Sequence, residues 1–157
     1  MVTAHRFRPN SKNTYFFAFC SDKKFIGPHA FKYILLKDLA AKINTLFLNS
    51  VLGIINLTLL RKQTTEGYTD MMESDLILFD IIDVELLSEK QKKELLKLYD
   101  ELKDCEFPSL LEQFKERFWA RVELDKRLLQ ILGVPNREIN IWLPKVYDTI
   151  VTELSQN

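Results

Sequence analysis

Glycine is scarce in this sequence: Gly27, Gly53, Gly67 and Gly133 are the only four among 157 residues, and no two are near each other. A loop that closes backbone N–H groups around a phosphate needs clustered glycines after a strand, so a P-loop and a dinucleotide cradle are excluded. No HExxH and no GxSxG occurs, which removes the common zinc-protease and hydrolase readings. The two cysteines, Cys20 and Cys105, have no CxxC spacing, and His5 and His29 are the only histidines. That set cannot supply a zinc quartet, and both thiols are expected to be packed or surface residues. Long apolar runs are missing as well. The longest mainly apolar stretch, 46–60, is interrupted by Asn49, Ser50, Asn56 and Thr58 and is too short and polar to span a membrane. Arg6 and Arg8 are not followed by an apolar segment ending in small residues, so no secretory signal is expected and the chain is read as cytoplasmic.

What is present is enough for one folded core: 46% hydrophobic residues, 28% charged, and only nine positions of Gly or Pro. The net charge of zero conceals a division. Residues 1–65 carry ten basic side chains against two acidic ones, a balance of +8, and residues 66–157 carry the opposite balance, −8. A basic half suits phosphate, because each Lys or Arg near a nucleic-acid backbone releases condensed counterions. A basic face expected from the first half and an acidic one from the second would meet different partners.

Along the chain the aromatic YFFAFC of residues 15–20 predicts a buried strand, and residues 31–37 a second one after Gly27-Pro28. From Asp38, read as an N-cap, Leu39, Ile43, Leu46 and Phe47 follow helical spacing. Ser50 is expected to cap a second, largely buried helix running to Leu60, and a polar loop, RKQTTEGYTD, follows over residues 61–70. The aliphatic run 76–84 reads as another strand. Ser88 and Gln91 are spaced for a capping box, and Leu95, Leu98, Tyr99 and Leu102 form the stripe of that helix. Pro108 opens a helical region continued to Leu132, which Gly133 ends, and Pro144 is read as a first-turn proline of the last helix. The expected class is α+β: a small β-rich N-terminal part packed with helices (1–87), then a helical part (88–157), in one compact domain.

The strand YFFAFCSDKKFIGPHAFKYI, the helix closing with Phe47-Leu48-Asn49-Ser50, the apolar helix, the Gly-containing polar loop and the aliphatic segment 75–83 together resemble the target-recognition region of adenine-N6 DNA methyltransferases. The Asn49-Ser50 pair followed by this loop is also similar to the specificity subunits of Type I restriction systems. Leu124-Asp125-Lys126, Leu132-Gly133 and Leu143-Pro144-Lys145-Val146-Tyr147 look like the helical tail of many of these enzymes. The resemblance covers nearly the whole chain and implies reading of double-stranded DNA. It does not imply methyl transfer, since no Asn-Pro-Pro-Tyr, Asp-Pro-Pro-Tyr or glycine-rich S-adenosylmethionine motif occurs. The cofactor and catalysis are then expected on a separate methyltransferase domain or subunit, and this chain is expected to be no enzyme by itself.

Candidate DNA contacts follow from residue type. Arg61, Lys62, Gln63, Thr64, Thr65 and Tyr68 join basic donors, an amide, hydroxyls and an aromatic, the mixture that reads base edges and holds phosphates. Lys23, Lys24, His29 and Lys32 are candidates for the same face, and Arg6 and Arg8 for a flexible arm along the backbone. Phe16, Phe17, Phe19, Phe114, Phe118, Trp119 and Trp142 are read as core, with Trp142 and Tyr147 alternatively docking onto a catalytic domain. Two other readings exist: a helical interaction module whose basic half binds an acidic partner, and a metal-dependent nuclease built on Asp83 and Glu101-Leu102-Lys103. For the second, carboxylates and lysine would have to converge on a metal, which neighbours on a helix do not do.

Overall fold

A computed structural model describes residues 1–21, 23, 29, 31–60, 62–63 and 67–155, with Lys62, Gln63 and Glu73 described by their backbone. Its first seven residues feed two sheets in succession. β1 (Val2–Ala4) is the centre of an antiparallel sheet ordered β3-β1-β4, with β3 at Ala18–Phe19 and β4 at Phe31–Tyr33. One residue further, β2 (Arg6–Phe7) pairs with β6 (Thr69–Asp70), and β6 pairs with β5 (Lys62–Gln63). The class is α+β, as expected, but the strands are two or three residues long. The strands expected over 15–20 and 31–37 shrink to β3 and β4, the first because another group satisfies its backbone. The N–H groups of Phe17 and Ala18 both donate to Asn49 Oδ1 at 3.2 Å, while Asn49 Nδ2 donates to the carbonyls of Ala18 at 2.5 Å and Thr45 at 3.0 Å. One buried amide thus takes the place of a neighbouring strand.

Asn49 is the last residue of α1 (Asp38–Asn49), whose N-cap is Lys37; Asp38 lies in the first turn and pairs with Lys42 at 2.9 Å. α2 (Val51–Leu60) follows at an angle of 71°, and among the described residues no single helix is long and apolar enough to cross a membrane. The expected Ser50 cap is not formed. The Ser50 hydroxyl donates back to Phe47 O at 2.6 Å, and the N–H of Val51 is accepted instead by Asp125 at 2.7 Å.

The aliphatic segment 76–84 is not a strand. α3 (Glu73–Leu76) starts a turn capped by Asp75, irregular chain follows, and a 3₁₀ turn spans Val84–Leu86. Its ordered anchor is Asn44, which accepts from Ile82 N–H at 2.7 Å and donates to Ile82 O at 3.1 Å. Those two bonds hold one point of the run against α1, and Ile77, Leu78 and Ile81 turn outward.

α4 (Glu89–Leu102) opens with the predicted Ser88–Gln91 capping box. The expected continuous helix to Leu132 is two helices, α5 (Leu110–Lys115) and α6 (Trp119–Ile131). They are separated at Arg117, which takes the left-handed conformation at φ 52°. Its side chain holds that corner, since Nη2 donates to Asp148 at 2.6 Å and to Pro144 O at 3.1 Å. α5 is opened by Ser109, whose N–H and hydroxyl both donate to Glu112. Gly133 follows α6 at φ 94°, a C-cap that suits glycine. α7 runs from Asn136 to Ser155, so Pro144 is interior rather than first-turn and removes one intrahelical bond.

The buried apolar residues form one cluster, from Ala4 and Phe17 through Ile43, Val51 and Ile54 to Leu128, Ile139 and Leu154. Through it runs a buried polar chain. Arg121 donates from Nη1 to Asn49 O and from Nε and Nη2 to Gln113 Oε1 at 3.1 and 2.6 Å; Gln113 Nε2 donates to Tyr15 O and Pro108 O, both at 2.8 Å. Tyr147 donates its hydroxyl to Asp125, which lies 3.7 Å from Arg121. Arg121, Asp125 and Gln113 are wholly inaccessible, so this arrangement joins elements and offers nothing to a substrate. It ties Asn49 and Val51, at the corner between α1 and α2, to Arg121, Asp125 and Tyr147.

Candidate nucleic-acid interface

The small sheet β2-β6-β5 brings together a few of the residues expected to meet DNA: Arg6, Arg8 and Tyr68, with the backbone of Lys62 and Gln63. Tyr68 precedes β6, and the guanidinium groups of Arg6 and Arg8 lie over its ring at 5.3 and 4.4 Å from the centroid. Both arginines are exposed and Tyr68 is half-buried. A guanidinium on a ring face gains cation–π attraction and keeps its N–H fork in its own plane. Arg6 and Lys62 both stand in register with Asp70, on either side of it, and Phe7 and Gln63 with Thr69.

Arg6 and Arg8 do not form the flexible arm expected of them. Arg6 is a strand residue, and Arg8 O accepts from Ser11 N–H at 3.1 Å and from the Thr14 hydroxyl at 2.8 Å. The chain beyond is pinned by Leu110 N–H donating to Thr14 O at 2.6 Å. The signal for this was present in the buried Pro9 and the Ser11 and Thr14 hydroxyls, which favour a turn over a loose terminus.

His5, missed in the sequence as a site residue, sits behind this group. Its Nδ1 is 3.7 Å from Asp70 and its Nε2 lies 2.6 Å from His29 O. It thereby brings His29 to the edge of the sheet through the backbone. Lys32 stands apart on β4, opposite Thr3. Lys23 is exposed in a turn where Ser21 accepts its N–H and donates to its carbonyl. Lys24, Arg61, Thr64 and Thr65 lie outside the described residues.

The nuclease grouping is not assembled. Glu101 is paired with Arg127, Lys103 with Asp100 at 3.0 Å, and Asp83 Oδ1 accepts from Glu85 N–H at 3.0 Å. Arg127 beside Glu101 holds that carboxyl below its ordinary range. Among the described residues no group of three or more His, Cys, Asp or Glu is placed to hold a metal ion.

Exposure corrects the aromatic expectations. Phe17 and Phe114 are core, whereas Trp119 is 62% exposed beside a half-buried Phe118. Tyr147 is buried and cannot dock onto anything; Trp142 is half-buried, with Ile141 exposed next to it. The segment 76–84, wrongly expected as a strand, and its flanks are apolar and exposed: Met72, Ile77, Leu78, Ile81 and Leu86 all face outward, and residues 67–89 contain no basic side chain. No family model, characterised protein or solved structure matches this chain.

Proposed function

We propose that this chain is a DNA-binding target-recognition module of a restriction-modification adenine-N6 methyltransferase, acting in the cytoplasm with a separate catalytic domain or subunit that binds S-adenosylmethionine. The observation that carries the reading is the stacking of Arg6 and Arg8 on Tyr68 at the sheet whose other strand is Lys62–Gln63. Two guanidinium forks braced on one ring lose little freedom on meeting a phosphate or a guanine edge, and the polar segment expected as a loop over 61–70 contributes its residues 62–63 and 69–70 to the sheet as β5 and β6. The exposed apolar, acidic segment 72–86 supports the second half of the reading. Apolar surface of this kind is what a module presents to the protein it serves.

A module that binds an acidic protein through the same basic half is the competing reading, and salt separates the two. For duplex DNA, log Kobs falls linearly with log salt at about −0.9 per phosphate neutralised. Fluorescence anisotropy with a labelled duplex of random sequence, titrated at several salt concentrations with polyglutamate as competitor, makes the comparison. A steep linear fall with no displacement by polyglutamate supports DNA; equal displacement by polyglutamate contradicts it.

A further inference from the structure

Residues 76–87 run along the surface as a ridge whose inner side is fixed. Leu76, Phe79, Ile82, Val84 and Leu87 pack against the core, Phe79 meeting the Phe17 ring at 5.8 Å. Asp75 accepts the Met72 N–H at 2.9 Å at one end, and Asp80 accepts from Asn56 Nδ2 at 3.3 Å in the middle. With the inner side chains held, the outer ones are set in place: Ile77 is 80% exposed, Leu78 64% and Leu86 83%. Large aliphatic side chains fixed in water along one stretch of chain mark a surface that another molecule covers.

Charge selects the kind of molecule. Residues 67–89 contain seven acidic side chains and no basic one. Asp80, Asp83 and Glu85 are exposed, and among the described residues none of the three is in an ion pair. On α4, which follows, all four acidic residues are paired: Glu89 with Lys92 at 2.9 Å, Glu94 with Lys90 at 3.9 Å, Asp100 with Lys103 at 3.0 Å, and Glu101 with Arg127. Lys92 also feels Glu85 but is bonded to Glu89. Carboxylates left over beside exposed aliphatics repel nucleic acid and anionic lipid and attract a cationic protein surface. The middle of the ridge offers side chains rather than a strand edge, because the N–H and the carbonyl of Ile82 are both taken by Asn44.

We propose that the ridge 77–86 docks a basic amphipathic helix of a partner protein, its apolar stripe seated on Ile77, Leu78 and Leu86 and its flanking Lys or Arg side chains paired with Asp80, Asp83 and Glu85. The inference rests on the proposed function only in giving the chain a protein partner, and it stands apart from DNA binding at Arg6, Arg8 and Tyr68.

The probe is a synthetic amphipathic helix of Leu and Lys, about four turns long, titrated into the full chain and followed by amide chemical shifts and fluorescence anisotropy. Saturable shifts centred on residues 72–86 are expected, and the same peptide with Glu in place of Lys should not bind. Ile77→Ser and Leu86→Ser, both at exposed positions, should each weaken the Lys peptide about tenfold with thermal unfolding unchanged. Asp80→Asn combined with Glu85→Gln should weaken it about two- to fivefold and flatten its salt dependence, whereas Glu138→Gln, exposed on α7, should change nothing. Shifts centred elsewhere, equal binding of the Glu peptide, or full affinity in both folded Ser variants overturns the proposal. So does a dimer of the chain alone that Leu86→Ser dissolves in sedimentation equilibrium, which would make a second copy the occupant. Duplex binding by the same variants keeps the two readings apart: lost peptide binding with intact duplex binding in the unsubstituted chain sinks the ridge alone, and the reverse sinks the DNA interface alone.

Discussion

Asp125 accepts the backbone N–H of Val51 at 2.7 Å, so a carboxylate 74 residues away caps the N-terminus of α2. Caps are ordinarily local, because the residue before a helix has its side chain at hand. Here Ser50 turns back to Phe47 O, and the helix end meets α6 instead. Burial pushes the Asp125 carboxyl up, while Arg121, the Tyr147 hydroxyl and the Val51 N–H oppose that rise. Its three partners lie on α2, α6 and α7, so the group ties the Asn49-Ser50 corner to the C-terminal helices.

Asp125→Ala should therefore destabilise the chain by about 3–5 kcal/mol, since it leaves Arg121 buried beside no carboxylate and Val51 uncapped. Urea denaturation followed by circular dichroism measures this. A loss below about 1 kcal/mol, the size of an ordinary surface cap, would show the network to be dispensable.

Tyr147 gives the pH dependence. Burial and the neighbouring Asp125 carboxylate raise its pKa far above the ordinary 10.0. A raised acid contributes stability that is fully present below the unfolded-state value and is lost as pH climbs past it. Stability should then fall above pH 10 by about 1.4 kcal/mol per unit from this group. Phenolate absorbance at 295 nm should show one of the five tyrosines ionising only as the chain unfolds. Tyr147→Phe should remove that contribution, and a hydroxyl that titrates in the folded chain would refute it.

At Gly53 two effects compete. Alanine is the better helix former by about 1 kcal/mol, but a Cβ on Gly53 would overlap the backbone carbonyl of Leu48 in α1. Backbone cannot rotate aside as a side chain can, so the overlap prevails. Gly53→Ala should lower the melting temperature, by an amount corresponding to about 1–3 kcal/mol of overpacking. A raised melting temperature would mean that the α1–α2 corner opens freely.

Much of the helical part was legible in the sequence: Ser88 with Gln91, and Gly133 after the last turn of α6, are local signals that tertiary structure has no reason to override. The run 76–84 misled because β-branched and aliphatic residues read alike whether buried or exposed, and the two Asn44 bonds that fix its path come from a distant helix. The Arg117 corner was hidden for the same reason, its left-handed backbone being held by Asp148 and Pro144 O on α7. Among the candidate site residues, Arg6, Arg8 and Tyr68 were named from residue type alone. Their stacking was not, since it depends on β2 pairing with β6, a contact between strands 62 residues apart.

Arg8→Ala and Arg6→Ala should each reduce the salt slope of duplex binding by about 1 while leaving the fold intact, as both side chains are exposed. Tyr68→Leu should lower affinity more than either single change, because it removes the ring that orders both guanidiniums. An unaltered slope in both arginine variants would move the phosphate contacts to another face.

Selection from a randomised duplex pool tests the proposed sequence reading most directly. The full chain, alone and with the catalytic subunit of its own system, is taken through repeated rounds at physiological salt, and the bound duplexes are sequenced. Enrichment of a short defined sequence is expected, with preference at one base pair relaxed by about 1–3 kcal/mol in Gln63→Ala and uniformly weaker binding in Lys23→Ala. A pool that stays random in both settings, or one enriched equally well by Gln63→Ala and Arg8→Ala chains, would contradict it.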